Sequence, residues 1–400
     1  LGESSAFITN VIQNEEKRFG ETLDKGLRLL NEELAGIRAE GGSKVPGDLI
    51  FKLYDTYGFP VDIVRDVVRD EGMALDMDRF DQEMAAQRSR SRQVSRFIET
   101  AEAYRALSSA GFQPEFTGYQ SLEDNATVLT VVVNGKEVES AAAAQAVEIV
   151  VNRTPFYGES GGQVGDTGRI TGENVEMVVD DTIKDPTGLI IHKGTVQSGT
   201  IRKNQAVTLT VNLDKRADTA RNHTATHILH AVLRRVLGDH VKQAGSRVAP
   251  DRLRFDFTHP SQVTSKTLQR IENEVNERIR WNTTVDTKEM EAQSAFQSGA
   301  TALFEEKYGD RVRVVSLADF SKELCGGTHT ARTGDIGLFK IAAESSVAAG
   351  VRRIEALTGQ AALAHVQKRE HDLLEISHLL RTTPATAADR VAKLQAEQRA

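Results

Sequence analysis

Apolar positions divide this chain into stretches of different period. Between Asn10 and Leu34, the residues Val11, Ile12, Phe19, Leu23, Leu27, Leu30 and Leu34 form one stripe with charges on the other faces. That spacing predicts an amphipathic helix. The glycines and proline of AEGGSKVPGD end it. LIFKLYDTYGFP, VDIVRDVVRDEG and DRFDQEMAAQRSRSRQVSRFIETAEAYRAL then read as further helices. A helical domain over residues 1–110 is expected, with a Gly-Pro break in its middle.

From Phe112 the period shortens to two. TVLTVVVNGKEVES alternates about an Asn134–Gly135 turn, a strong hairpin signal. VEIVVNRTPF, VEMVVDDT, LIIHKGTV and AVTLTVNL are further short β-rich runs set apart by glycines. A small β-barrel or sandwich over 111–213 follows. At Asp214 the helical period returns, and DKRADTARNHTATHILHAVLRRVLG reads as one helix. RLRFDFTH, VRVVSLADFS and GLFKIAAESSV read as strands and TSKTLQRIENEVNERIRW as a helix, so 214–358 is expected to be α+β. Residues 359–400 turn helical again, with an apolar stripe in HDLLEISHLL and a break at Pro384. The fold class is therefore multidomain α+β: helical domain, small barrel, α+β core, C-terminal helix.

Length and composition narrow the picture. Four hundred residues exceed one ordinary core. With 39% hydrophobic and 27% charged residues the chain has a globular composition. No apolar run approaches the ~18–20 residues of a membrane span. The chain starts at Leu1 with no signal-like stretch, which suggests a fragment. A single cysteine excludes an internal disulfide framework and fits a reducing, cytoplasmic setting. A net charge of −7 argues against a surface coated for nucleic acid, although Arg88, Arg90, Arg92 and Arg96 cluster locally.

The candidate chemistry lies in two short motifs. In NHTATHILH, His223 and His227 are spaced i, i+4 on the predicted helix, which puts both imidazoles on one face. In ELCGGTH, Cys325 and His329 repeat that spacing around two glycines. Two histidines, a cysteine and a histidine make a four-donor N/S set that favours Zn²⁺ over hard cations. His230, one turn on, is expected to pack or to hydrogen-bond behind the site. A zinc protease of the H-E-x-x-H kind is excluded, because Thr224 stands where its glutamate would be. TPFYGESGGQVGDTGRI carries five glycines without the lysine of a P-loop, so a tight barrel corner competes with an anion cradle.

HTATH and CGGTH, with YGESGGQVGDTG before them and LYDTYGFPVD far upstream, resemble the bacterial alanyl-tRNA synthetases. The match runs in order from Leu1 to about Gly359. The resemblance implies a partial enzyme without the aminoacylation domain and its ATP site. What remains would be the second half of the tRNA-recognition domain (1–110), an editing domain of barrel and zinc core (111–213 and 214–358), and the start of a coiled-coil dimerisation region (359–400). The implied reaction is hydrolysis of Ser-tRNA(Ala) and Gly-tRNA(Ala). Such a sieve is needed because a pocket for alanine discriminates one methyl by only about 1–3 kcal/mol.

On the same resemblance, His223, His227, Cys325 and His329 hold zinc. Thr226 and Gln243 line the editing pocket and, with Cys325, serve its chemistry. Gly161, Gly162 and Gln163 form a loop at the substrate, and Asp55 reads the acceptor stem of tRNA(Ala). Three protein ligands plus water would permit Lewis-acid catalysis, and four would leave zinc organisational. The rival reading is a tRNA-binding module with a structural zinc and no hydrolysis of its own.

Overall fold

The computed structural model describes residues 5–94, 102–301 and 309–399. The chain forms two compact units, Leu1–Thr100 and Ala101–Ala400.

The first unit consists of helices α1 (Ser5–Ala39), α2 (Gly47–Asp55), α3 (Val61–Asp70) and α4 (Met77–Val94). Pro46 and Pro60 stand immediately before α2 and α3, where a fixed φ and a missing N–H cost nothing. Leu30, Leu34, Ile50, Leu53, Phe59, Val64 and Val68 make the core. Gly26 lies in mid-helix, where glycine costs about 1 kcal/mol against alanine. The Phe59 ring occupies the space its Cβ would need. A two-residue parallel pairing of Lys44–Val45 with Ala74–Leu75 is absent from the helical reading of the sequence. Asp55, the last residue of α2, accepts from Gln87 Nε2 at 2.6 Å. Of the arginine group, Arg96 and the side chains of Arg88, Arg90 and Arg92 lie outside the described residues.

The second unit begins with α5 (Glu102–Ser109), whose Tyr104 packs on Val132, Val150, Leu189 and Ile191. Six antiparallel strands follow: β1 (Glu123–Val133), β2 (Ala146–Val151), β3 (Gly168–Gly172), β4 (Val175–Lys184), β5 (Ile190–Arg202) and β6 (Ala206–Val211). They pair in the order β4-β3-β6-β1-β2-β5, and β5 returns to β4, closing a barrel. Closure satisfies edge groups that an open sheet would leave unpaired. Val128, Ile149, Ile170, Met177, Val196 and Leu209 fill the interior. The hairpin turn after β1 has φ 52° at Asn134 and 76° at Gly135, which is why that dipeptide stands there.

Asn212 caps α6 (Leu213–Leu237) by accepting from the Lys215 amide at 3.0 Å, and Gly238 ends the helix with φ 116°. The helix is buried over most of its length. Two antiparallel sheets and α7 (Ser265–Arg280) complete the core. One sheet contains β7 (Gln243–Val248), β8 (Leu253–Thr258), β12 (Phe339–Ala348) and β13 (Val351–Thr358), ordered β7-β8-β13-β12. The other contains β9 (Val285–Glu291), β10 (Arg311–Leu317) and β11 (Ser321–Leu324) in sequence order. Leu229, Leu233, Phe255, Phe257, Val275 and Ile354 are among the residues buried between these elements.

A buried ion pair joins barrel and helix. Arg216 of α6 donates to both carboxylate oxygens of Asp166, to Gly118 O at 2.8 Å and to Pro155 O at 2.7 Å. The chain ends in α8 (Gly359–Leu379) and α9 (Ala387–Arg399), separated by a short turn at Pro384. Leu363, Leu373, Leu374, Ile376 and Leu379 of α8 are exposed. Among the described residues no helix is long and apolar enough to cross a membrane.

Candidate metal centre

Helix α6 presents His223 and His227 side by side, their rings stacked with centroids 5.2 Å apart. The turn after β11 brings Cys325 and His329 against them. One donor atom from each of the four residues lies within 4.8 Å of the others. Cys325 Sγ is 3.4 Å from His223 Nε2 and 3.4 Å from His329 Nε2. In a tetrahedral zinc site, bond lengths of about 2.0–2.1 Å to nitrogen and about 2.3 Å to sulfur put neighbouring donors about 3.4–3.6 Å apart. The two sulfur–nitrogen separations fit, and the remaining donor pairs are no more than 4.8 Å apart. His227 Nε2 is buried with no hydrogen-bond partner, a position that a bound cation would fill.

The other ring nitrogen of each histidine is held from behind. His223 Nδ1 meets Gln163 Oε1 at 2.7 Å, His227 Nδ1 meets the Glu323 carboxylate, and His329 Nδ1 meets Thr224 Oγ1 at 3.2 Å. An acceptor on Nδ1 fixes the tautomer that leaves Nε2 free for a metal. Burial alone would push the Cys325 thiol up. The surrounding imidazoles of His223, His329 and His227 outweigh it and hold the thiol well below its ordinary value. Burial, then His223, bring His329 down to about 3, which leaves it neutral. Glu323 stays below the usual carboxylate range, because its histidine partners, His227 first, overcome a burial effect of opposite sign. Burial would lower His227, but Glu323 and then Cys325 outweigh it and raise it to about 10; metal binds the thiolate and the deprotonated imidazole, so uptake there displaces a proton.

Three consecutive carbonyls of the Cys-Gly-Gly turn are tied down. Arg313 Nη1 donates to Cys325 O at 2.9 Å and to Gly327 O at 2.9 Å. Tyr119 Oη donates to Gly326 O at 2.5 Å, and the Arg313 guanidinium lies 4.2 Å from the Tyr119 ring centre. The second glycine is required by space. A Cβ on Gly327 would overlap the His223 ring and come 2.8 Å from Gln163 Oε1, whereas the nearest atom to one on Gly326 is Tyr119 Oη at 4.0 Å.

The glycine-rich loop crosses from barrel to core. Val248 N donates to Gly162 O at 2.7 Å and Val164 N to Val248 O at 3.0 Å. Gly161 and Gly162 have φ 58° and 84° there. The amides of Glu159, Gln163 and Val164 bond to backbone carbonyls, so they do not serve as an anion cradle. Gln163 is fully buried at the end of this crossing, bonded to His223, to Thr328 N at 2.9 Å and to Thr328 Oγ1 at 2.9 Å.

A cavity of about 380 Å³ opens beside three of the four donors. His223, His227 and Cys325 line it together with Thr226, Gln243 and Gly161. Thr226 Oγ1 donates to Asn222 O at 2.8 Å. Gln243 stands at the start of β7, beside a register shift against β8. His329 faces a different cavity, and Asp55 belongs to the Leu1–Thr100 unit. Sequence reasoning did not single out Glu323, Arg313 or Tyr119. The one available signal was an acidic residue two positions before the cysteine, on a strand that buries it.

Comparison with known proteins locates the same segments. A family model described as tRNA synthetases class II (A) matches residues 1–215. A second, described as Threonyl and Alanyl tRNA synthetase second additional domain, matches residues 312–355, which include Arg313, Glu323, Cys325 and His329. The chain is 59% identical over 399 residues to an alanine–tRNA ligase of Desulfosudis oleivorans, covering all of this chain and 46% of that protein. It is 48% identical to the alanine–tRNA ligase of Nitratidesulfovibrio vulgaris, again over all of this chain and 46% of the relative. The chain thus spans about half the length of the curated relatives it matches.

Proposed function

We propose, on the premise that this chain belongs to the alanyl-tRNA synthetase family, that residues 111–358 form an editing hydrolase for mischarged tRNA(Ala). Its substrates are the aminoacyl esters of Ser-tRNA(Ala) and Gly-tRNA(Ala). The observation that carries this reading is the four-donor centre, three of whose residues line a cavity with Thr226 and Gln243. A synthetic pocket for a small apolar side chain rejects glycine and serine weakly, and a second hydrolytic site supplies the missing discrimination.

The residues divide the work as follows. The Thr226 hydroxyl spends its proton on Asn222 O, so its lone pairs remain to accept from a seryl hydroxyl. Gln243 offers an amide to orient the ester. Gly161, Gly162 and Gln163 hold the cavity edge to the donor set. His223, His227, Cys325 and His329 fit Zn²⁺, which when bound supplies fixed positive charge and holds the Cys-Gly-Gly turn at the cavity. Asp55 contacts the acceptor stem in the minor groove, the readable groove of RNA. The exposed apolar side chains of α8 fit pairing with a second copy. Ligation of alanine, which the relatives' names describe, is assigned to the full-length protein.

The test is deacylation of Ser-tRNA(Ala) beside Ala-tRNA(Ala) and a seryl ester on an unrelated tRNA, with metal assayed in the same sample. Selective loss of serine from tRNA(Ala) supports the proposal. One observation favours a second reading: four protein donors close a zinc site, the pattern of structural zinc. Tight tRNA binding with one zinc per chain and no turnover would establish that reading and sink the first.

A further inference from the structure

Resting on the hydrolase reading above, we infer that Lys184 and Arg311 clamp the phosphodiester of the tRNA 3′ end at the mouth of the cavity, one ribose away from the ester. The cavity of about 380 Å³ lies near the small end of ligand pockets, which run from about 300 to 1,000 Å³. It has room for the aminoacyl group and its terminal nucleoside. The strand behind them must leave over the lip, and that strand carries a negative charge at every phosphate.

Two side chains of the lining answer that charge. Lys184 and Arg311 line the cavity and are both exposed, so they stand at its mouth and not in its depth. Among the described residues no carboxylate oxygen comes within 4.0 Å of Lys184 Nζ. Arg311 meets Glu289 at 3.9 Å, with the two side chains 66% and 65% exposed, an arrangement worth little. The remaining charges of the lining are already committed. Arg313 donates to Cys325 O and Gly327 O. Glu323 has one carboxylate oxygen on His227 and the other on His230. The mouth therefore presents two cations that the lining does not neutralise, in a chain whose net charge is −7.

Both cations are held by the elements that build the site. Lys184 is the last residue of β4, and the glycine-rich loop lies against that strand end. Glu159 N donates to Thr182 O at 2.8 Å, and a Cβ on Gly158 would lie 3.1 Å from Lys184 Cβ. Gly161 of the same loop lines the cavity. Arg311 opens β10 and shares a strand face with Arg313, which grips the Cys-Gly-Gly turn. One cation thus comes from the barrel and the other from the core. Arg311 offers a guanidinium fork to two phosphate oxygens, and Lys184 offers a point charge. Contacts of this kind fix the register of a strand without reading its bases, which is what presenting an ester to the donor set requires.

The experiment compares wild type with Lys184→Gln and Arg311→Gln in deacylation of two substrates. One is Ser-tRNA(Ala); the other is 3′-O-seryl-adenosine, which has the ester but no phosphate. Affinity for tRNA is measured alongside at several salt concentrations. Each variant should lose about tenfold in kcat/KM on the tRNA, through KM, which is the worth of a hydrogen bond to a charged group. The loss on seryl-adenosine should be several times smaller. Each variant should also flatten the slope of log affinity against log salt by about 0.7, one phosphate contact on a single strand. Equal losses on the two substrates, or an unchanged slope, overturn this inference and leave the hydrolase reading standing. An inactive wild type overturns both. Should seryl-adenosine prove too poor a substrate to follow, the salt slope decides alone.

Discussion

The two glycines of CGGTH invite a paired perturbation, Gly327→Ala against Gly326→Ala. Neither position has the positive φ that would strain alanine, so the difference between them is one of space. At Gly326 the new methyl has its nearest neighbour at 4.0 Å, an ordinary contact. At Gly327 it overlaps the His223 ring and lies 2.8 Å from Gln163 Oε1. Relief requires the ring to move by about 1 Å, because packed interiors hold no spare volume on that scale. A metal–nitrogen bond tolerates about 0.2 Å. Disturbing such a supporting contact costs about 10–100-fold in metal affinity. Competitive zinc titration against a colorimetric chelator reads this directly. Gly327→Ala should bind zinc about 10–100-fold more weakly, with Gly326→Ala within about threefold of wild type. Equal affinities for the two variants would refute the packing argument and the fit of the donor set to zinc.

Four further outcomes are expected. Arg216→Met leaves Asp166 buried without its cation and should cost about 3–5 kcal/mol in urea unfolding; a cost under about 1 kcal/mol would refute this. Arg313→Met frees the carbonyls of Cys325 and Gly327, and zinc affinity should fall about tenfold; no change would make the clamp irrelevant to the site. Burial drives His192 down from 6.5 to about 4, so its stabilising contribution is full above pH 6.5 and lost as pH falls towards 4. That interval corresponds to roughly 3 kcal/mol, which His192→Gln should remove from the acid dependence of urea stability; an identical pH profile would contradict it. Chelation should lower the melting temperature of the wild type, an effect that added zinc reverses; insensitivity to both would rule out a bound metal.

What the sequence made legible was whatever repeats locally. The helix carrying His223 and His227, the Asn134–Gly135 hairpin and the strand RLRFDFTH all follow from period and turn chemistry over a few residues. The donor set was also legible, because each half has its own helix-like spacing. The contacts that hold the donors were hidden, since each joins distant parts of the chain; Gln163 was expected at the substrate loop, not behind His223. Gln163 reaches His223 across 60 residues and Glu323 reaches His227 across 96. Arg313 and Tyr119 act on backbone carbonyls, which have no side-chain identity to read in a sequence.

The crossing of Gln163 from barrel to core also has a kinetic meaning. Contacts between distant residues form only after their loop-closure entropy has been overcome, and therefore late. The Gln163 contacts to His223 and Thr328 need the barrel loop, α6 and the CGGTH turn all in place. Zinc uptake should accordingly trail barrel formation during refolding, so that a loaded metal centre reports a correctly assembled molecule. Nascent chains with a misplaced barrel would hold zinc poorly, and thereby remain distinguishable from finished ones.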